Sequence, residues 1–404
     1  MIRNISSFVK NRAALSVGFL FSVSSLLFGT WVAAIPSIKN RLHFTDGSLG
    51  LSLLLSPLGA ITGMLLSRIV FRKLPVGKWM MMGYITSAII MIFLINSLNR
   101  PMLWICLYLY GVTGFLNGVS SNATVNLMEK KFNRLMMSTC HGMYSLGGAV
   151  SALLASFFFS IGIVSGWQIE IISFVIICII IINRKYLLAN QDIIHTKSAF
   201  KFPSLSILGI SFICMVTFMA EGCVADWSAL YFKEVLDTPR RFMSFGYAGF
   251  SIAMTIGRLN GDSFIAKVGS KKIVIAGSLL ASAGFLMVSF APGMVVAIAG
   301  YTLVGLGCSC IVPVLFSASA NIPGVSTVEG FAMVTTGGLI GFLAGPSIIG
   351  LISEKSDLSK GFLLLVFLCL AAATAGRINQ FLGKTKVLTG ENENGPSIDS
   401  PLNL

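Results

Sequence analysis

Long apolar runs recur along the whole chain and are separated by short polar connections. About twelve runs approach the roughly 20 residues that cross a bilayer as a helix; they are centred near residues 24, 58, 87, 114, 149, 176, 217, 253, 281, 306, 340 and 371. Only 11% of the 404 residues are charged and 55% are hydrophobic, whereas a soluble domain carries about 25% charged residues. The pattern predicts an all-α integral membrane protein with twelve transmembrane helices.

The chain also divides into two similar halves. SLGGAVSALLAS contains Gly147 and matches TTGGLIGFLAGPS with Gly337, while GMLLSRIVFRKLP with Gly63 matches GRLNGDSFIAKVGSKKI with Gly257. The two offsets are nearly equal and close to half the chain length, which predicts two six-helix pseudo-repeats. We expect six-helix bundles at 1–188 and 205–383, a cytoplasmic linker at 189–204 and a disordered cytoplasmic tail at 384–404.

The net charge of +14 follows this topology and does not indicate a nucleic-acid surface. With the N-terminus inside, the predicted outer side receives only eight of the 29 Lys and Arg residues: Lys39, Arg41, Arg100, Lys233, Arg240, Arg241, Lys355 and Lys360. Positively charged loops remain in the cytoplasm. We therefore expect both termini of this multi-pass protein to be cytoplasmic.

Two acidic residues interrupt the apolar run SILGISFICMVTFMAEGCVADWSALYF. An ionisable side chain at membrane depth costs about 3 kcal/mol or more, so Glu221 and Asp226 need a polar cavity, a partner or a proton. Burial favours the neutral form of a carboxyl group, and this property suits Glu221 to proton coupling. Asp226 lies about 140° further round the helix, beside Trp227, where a structural or gating role is the main alternative.

Other polar side chains in apolar segments are candidates for proton transfer or substrate contact. His141 is the only histidine inside such a segment, and it fits either a proton relay or a helix contact. Amides in lipid must find partners, so they line a cavity or bridge helices. The predicted cavity-lining residues are Asn117, Asn122, Asn126, Trp31, Tyr108 and Tyr144.

Arg258 and Asp262 are four residues apart near the cytoplasmic end of the eighth predicted span. That spacing puts them on one helical face, where an ion pair gates or stabilises that side. No arginine is expected in the middle of the membrane, which argues against a deep phosphate clamp.

The sequence lacks enzyme and metal signatures. GKT at 383–385 is not a phosphate loop because Ile378 replaces the first glycine, and neither H-E-x-x-H nor G-x-S-x-G is present. Cys308 and Cys310 form C-x-C without a second ligand pair, so zinc is not expected. We predict no enzyme activity, no metal and no cofactor, so uphill transport requires an ion gradient.

The loops after the second and eighth spans resemble the signature Gly-x-x-x-Asp-Arg/Lys-x-Gly-Arg/Lys-Arg/Lys of the major facilitator superfamily. The second-half copy consists of Arg258, Asp262, Lys267, Gly269, Lys271 and Lys272, and the first-half copy of Gly63, Ser67, Arg68, Phe71, Arg72 and Lys73. Ser67 replaces the acid of the signature and Phe71 its glycine. The resemblance implies two six-helix bundles around a central cavity and gating roles for Arg68, Arg72, Arg258 and Asp262.

Four stretches resemble a narrower MosC/YbjJ-like branch: AAIPSIKNRLHFTDGSLGLSLL (33–54), STCHGMYSLGG (138–148), AEGCVADWSALYF (220–232) and GRLNGDSFIAKVG (257–269). Within it, the chain's length and texture are similar to exporters that give self-immunity against a peptide–nucleotide microcin. This implies a monomeric proton antiporter of a bacterial inner membrane that exports a small antibiotic-like molecule. Proton symport of a sugar-like nutrient is the alternative, and a channel or a sensor is a further class.

Overall fold

The computed structural model describes residues 12–132, 136–184, 205–319, 322 and 327–382, and these form helices and no strand. The N-terminal half contains α1 (Arg12–Arg41), α2 (Asp46–Leu53), α3 (Leu55–Lys73), α4 (Val76–Ile95), α5 (Arg100–Phe132), α6 (Met137–Ser160) and α7 (Ser165–Ile182). The C-terminal half contains α8 (Leu205–Glu234), α9 (Phe245–Val268), α10 (Ser270–Ser289), α11 (Met294–Cys308), α12 (Ile311–Ser319), α13 (Thr327–Lys355) and α14 (Leu358–Ile378). The predicted linker at 189–204 and tail at 384–404 lie outside the described residues.

Eleven helical stretches within the described ranges are long and apolar enough to cross a membrane. The remaining predicted span coincides with α9, which has 24 residues. It is less apolar because its sequence carries Arg258, Asn260 and Asp262. A charged residue inside a membrane helix faces other helices or a polar cavity, so α9 is expected to contribute to a site.

The two halves repeat the same helix contacts. In the first, α1 packs against α6 and the Ser22 hydroxyl donates to the carbonyl of Met143 at 2.7 Å. In the second, α8 packs against α13 and the Ser211 hydroxyl donates to the carbonyl of Met333 at 3.2 Å. The donors are 189 residues apart and the acceptors 190, close to the offset found in the sequence. These matched bonds support the predicted pseudo-repeat.

A glycine face explains how closely α13 approaches α8. A Cβ atom at Gly337 or Gly341 would collide with the backbone of α8, and one at Gly345 with the Met219 side chain. Small residues at four-residue spacing let membrane helices pack backbone to backbone. Gly114 and Gly118 on α5 have the same spacing but no such role, because an added Cβ there meets no atom within 4 Å.

The two loops that resemble the family signature differ in backbone geometry. Gly269 joins α9 to α10 with a φ of 89°, a conformation that favours glycine because it has no Cβ. In the first half, Phe71 is fully buried within α3 and its ring packs edge-on against Trp79 at 6.3 Å. The first-half position that corresponds to the signature glycine is therefore helical and packed, and it does not form a glycine turn.

The halves meet mainly through three helix pairs, α1 with α8, α2 with α13, and α6 with α9, and α3 also contacts α13. Between α2 and α13 the backbones approach closely at Gly50, and the Ser347 hydroxyl donates to the carbonyl of Gly50 at 2.9 Å. The polar residues on α6, α8 and α9 therefore lie at the junction of the two bundles.

Candidate functional site

A buried ion pair lies at this junction. The Arg258 guanidinium approaches the Glu221 carboxylate at 3.5 Å, between Nη2 and Oε2, and each side chain is only 15% exposed. The other guanidinium nitrogen, Nη1, donates to the Ser145 hydroxyl at 2.9 Å. Glu221 and Arg258 come from the C-terminal half and Ser145 from the N-terminal half, so one arginine connects the acid to the opposite bundle.

The second carboxylate oxygen of Glu221 has no partner. Oε1 is buried and accepts no hydrogen bond from the described residues, whereas the Ser25 hydroxyl of α1 bonds to the Tyr144 and Tyr247 side chains. Both residues line one cavity of about 50 Å³. A space of this size holds a few water molecules, so an organic substrate enters only after the halves separate.

Aromatic and apolar side chains form the rest of the cavity wall. Phe28 and Tyr144 contribute from the N-terminal half, and Tyr247, Phe250 and Phe342 from the C-terminal half. The rings of Tyr247 and Phe250 stack at 6.2 Å. Few charges within mostly apolar walls are typical of small-molecule sites.

A larger recess of about 410 Å³ lies between α1 and α7. Two of its polar residues are already engaged, because Ser16 donates to the carbonyl of Arg12 and Asn183 to that of Ile179. Its lining, which includes Arg12, comes entirely from the N-terminal half, so it does not connect the two halves as the Glu221 site does.

Asp226 and His141 lie beside this cavity and are not part of its lining. The indole of Trp31, which is buried in α1, donates a hydrogen bond to Asp226, so this acid also contacts the opposite half. His141 packs its ring edge-on against Phe21 at 5.3 Å. Their roles in proton coupling stay predictions.

Only Tyr144, among the six predicted cavity-lining residues, lines the described part of the central cavity. Asn117 is buried and donates to the Ser87 hydroxyl at 2.9 Å, and Tyr108 donates to Thr62 at 2.7 Å. Both therefore bridge helices, which was the stated alternative for the amides. Asn122 is exposed, and the side chain of Asn126 lies outside the described residues.

The expectation that no arginine lies in the middle of the membrane stays a prediction, although Arg258 is near the centre of α9 and pairs with Glu221. Spacing along one helix favoured Asp262 as its partner, whereas packing of α8 against α9 supplies Glu221. The side chains of Asp262 and Arg68 lie outside the described residues, and Arg72 is exposed at the end of α3.

A second charged cluster, here called the Lys39 cluster, joins the halves where α1, α8 and α13 end and α2 begins. It comprises Lys39, Asp46, Glu234 and Ser353. The Lys39 ammonium donates to Asp46 and to both oxygens of Glu234, at 2.7 and 2.8 Å. The Ser353 hydroxyl donates to the second oxygen of Asp46.

Further contacts surround the Lys39 cluster and cross the same boundary. The Lys233 ammonium donates to the carbonyl of Pro36 at 3.2 Å, and Arg240 donates to the Ser37 hydroxyl at 3.1 Å. The Ser156 hydroxyl donates to the carbonyl of Arg241. This end of the bundle is therefore fastened by several polar contacts.

Sequence reasoning missed the Lys39 cluster. Lys39 and Glu234 are 195 positions apart, and no motif relates them. A usable signal was present nonetheless: each residue ends the first helix of its half, so the pseudo-repeat places them at equivalent positions.

Comparison with known proteins identifies relatives of nearly full length. No family model matches the chain. It is 32% identical over 362 residues to an uncharacterised MFS-type transporter of Yersinia pestis, a match that covers 90% of this chain and 94% of the relative. It is 28% identical over 371 residues to membrane protein MosC of Rhizobium meliloti, covering 89% and 88%.

Solved structures support the same fold. The nucleoside transporter NupG has a TM-score of 0.66 at 14% identity, covering 91% of this chain and 98% of that chain. A bacterial homologue of the human lysosomal transporter Spinster, in an inward-facing and occupied conformation, has a TM-score of 0.64 at 13% identity, covering 91% and 96%. The predicted fold class is confirmed, and the protein is a membrane transporter and not an enzyme. This chain belongs to the MFS-type transporters, those of the major facilitator superfamily.

Proposed function

We propose that this chain is a proton-coupled secondary transporter of a bacterial inner membrane that exports a small antibiotic-like molecule by exchange for protons. The observation that carries the proposal is the Glu221 carboxylate, buried between the halves with one oxygen near Arg258 and the other unpartnered. In the proposed membrane topology both termini are cytoplasmic, and the transporter acts as a monomer.

Coupling follows from the charge on Glu221. A proton on the carboxylate removes its attraction for Arg258, and a deprotonated carboxylate restores it. Because Ser145 of the other half holds the same guanidinium at 2.9 Å, this change alters the balance of contacts across the boundary. Proton and substrate then favour different arrangements of the two bundles, which is the requirement for ligand-driven switching.

The Lys39 cluster supplies the closed side of this cycle. Under the proposed topology it lies on the outer face, so the arrangement described corresponds to a carrier closed to the outside. Opening to that side requires separation of Lys39 from Glu234. The two halves then rock around the central site, as in other carriers built from repeats.

Export is favoured by the resemblance of the chain to microcin self-immunity exporters. The competing proposal is proton symport of a sugar-like nutrient. One observation favours it: Arg258 neutralises Glu221 without a substrate, and a symporter must return empty. An exchanger, by contrast, must not return empty, and an acid without a partner charge would prevent the empty carrier from returning.

Accumulation of a labelled peptide–nucleotide antibiotic tests the proposal. We expect energised cells that contain the chain to accumulate less label, and a protonophore to remove the difference. Cells with Glu221→Gln at equal membrane expression should accumulate label like cells without the chain. Unchanged accumulation with the verified wild-type chain would reject this substrate, and protonophore-sensitive uptake of a sugar would favour the symporter.

A further inference from the structure

The central site contains a hydrogen-bond acceptor and hydrogen-bond donors that are not fully used within the protein. Oε1 of Glu221 is a buried acceptor without a donor among the described residues, and the Ser25 hydroxyl, which bonds to the Tyr144 and Tyr247 side chains, is a second polar group. They come from opposite halves and line the same cavity. An ammonium group carries three donors, and one of them can satisfy Oε1 of Glu221.

Arg258 supplies the hydrogen-bond donors of the site. A guanidinium carries five N–H donors, and Ser145 accepts one of them at 2.9 Å. The 3.5 Å separation from Glu221 is longer than the usual 2.7–2.9 Å of a charge-assisted hydrogen bond. The arginine is therefore not locked to its acid, and its planar fork matches a carboxylate or phosphate.

Charge balance selects among possible ligands. Glu221 and Arg258 are the only charged residues in the described lining of the cavity, and their charges cancel. A ligand with one net charge leaves that charge unbalanced in a mostly apolar site, which is costly. A ligand with both charges places its cation on Glu221 and its anion on Arg258 and keeps the sum at zero.

We propose that the site binds a zwitterionic head group, with an ammonium on Glu221 and a carboxylate or phosphate on Arg258, and an apolar group against the aromatic wall. The ligand replaces the internal ion pair once the halves separate. The inference rests on the proposed function because it treats this cavity as the transport site. It narrows the substrate class to amino-acid-like or peptide-like molecules with a free amine and an acid close together.

Three probes of one shape test the inference. Phenylalanine is a zwitterion, phenethylamine a cation and 3-phenylpropionate an anion, and all three carry the same phenylethyl group. Binding to the purified full chain in detergent is measured by calorimetry at neutral pH without a gradient. We expect phenylalanine to bind at least tenfold more tightly than either singly charged probe.

Variants that remove one charge should change which of the three probes binds most tightly. Glu221→Gln should weaken phenylalanine at least tenfold and make 3-phenylpropionate the best ligand, because Arg258 is then unopposed. Arg258→Gln should make phenethylamine the best ligand. Glu170→Gln serves as a matched control, because Glu170 on α7 contacts Asn96 and does not line the cavity.

Equal binding of the three probes, tightest binding of a singly charged probe, or no binding of any of them overturns the zwitterion inference. The proposed function is measured separately, as protonophore-sensitive transport that depends on Glu221. Proton-driven transport without zwitterion preference leaves the function standing and removes this substrate class. Zwitterion preference without a proton requirement supports the site and removes the coupling.

Discussion

The Lys39 cluster and the Glu221–Arg258 pair both place opposite charges at the boundary between the halves, yet they differ in how completely those charges are satisfied. Lys39 donates to Asp46 and to both oxygens of Glu234, and Ser353 occupies the remaining oxygen of Asp46. Glu221 has one loose contact and one unpartnered oxygen. A saturated network fixes a geometry, whereas an unsaturated acid remains available for a proton or ligand.

Position along α8 explains the difference. Glu234 is at the end of the helix, where neighbouring helix ends and connections bring many donors together. Glu221 is in the middle, where its surroundings are side chains of an apolar interior and an unpaired polar atom is costly. A polar atom kept unpaired at that depth is more informative about function than a well-paired one at the surface.

The largest expected effect is on transport, and it distinguishes Glu221 from Glu234. Glu221→Gln removes the charge that a proton neutralises, so we expect gradient-driven transport to fall by about 100-fold or more, ~2.7 kcal/mol. The matched change Glu234→Gln should slow transport but retain its uphill character, because it weakens the closed end and leaves the proton-carrying acid in place. Initial rates in proteoliposomes with an imposed pH gradient provide the measurement, and equal loss in both variants would contradict the distinction.

Gly341→Ala on α13 changes the packing against α8, the helix that carries Glu221 and Glu234. An added Cβ meets the carbonyl of Met215 on α8, so the helices must separate at a cost of about 1–3 kcal/mol. Gly114→Ala is the control because its Cβ meets open space. Thermal unfolding of the purified variants should show a lower Tm for Gly341→Ala only; equal values would show that this close packing is not needed.

Lys39→Met tests whether the saturated network fixes the closed end. The change leaves Asp46 and Glu234 facing each other without their cation, and we expect the population open at this end to rise about tenfold, ~1.4 kcal/mol. Lys39→Arg retains the charge and serves as the control. Spin labels at Leu98 and Val295, both exposed near this end, report the opening; an unchanged distance distribution would remove the gating role.

Ser145→Ala gives the smallest effect because one hydrogen bond across the boundary is lost. A typical bond contributes about 1 kcal/mol, so we expect roughly a fivefold change in the rate of exchange. Ser145→Thr keeps a hydroxyl and should restore the rate. A rate for Ser145→Ala equal to that of the wild type would show that Arg258 is held by Glu221 alone.

The sequence predicted one member of the central ion pair, Glu221, and did not predict its partner. Glu221 stood out because an acid in an apolar run is costly wherever the helix lies. Its partner was not predicted, since spacing within α9 favours Asp262 and only the packing of α8 against α9 brings Arg258 to Glu221. Asn117 and Tyr108 show the same limitation, because polarity in a span does not distinguish a cavity wall from a helix contact.

The sequence by itself determined the number and length of the apolar helices, the pseudo-repeat and the membrane setting, because these depend on local composition and spacing. Relatives of nearly full length, an MFS-type transporter and a membrane protein, agree with the membrane setting. Only the tertiary structure decided which charges meet: Lys39 with Glu234, Glu221 with Arg258, and Arg258 with Ser145. Such contacts join residues far apart in the chain, and the approach and rotation of packed helices, which no local pattern encodes, place them within bonding distance.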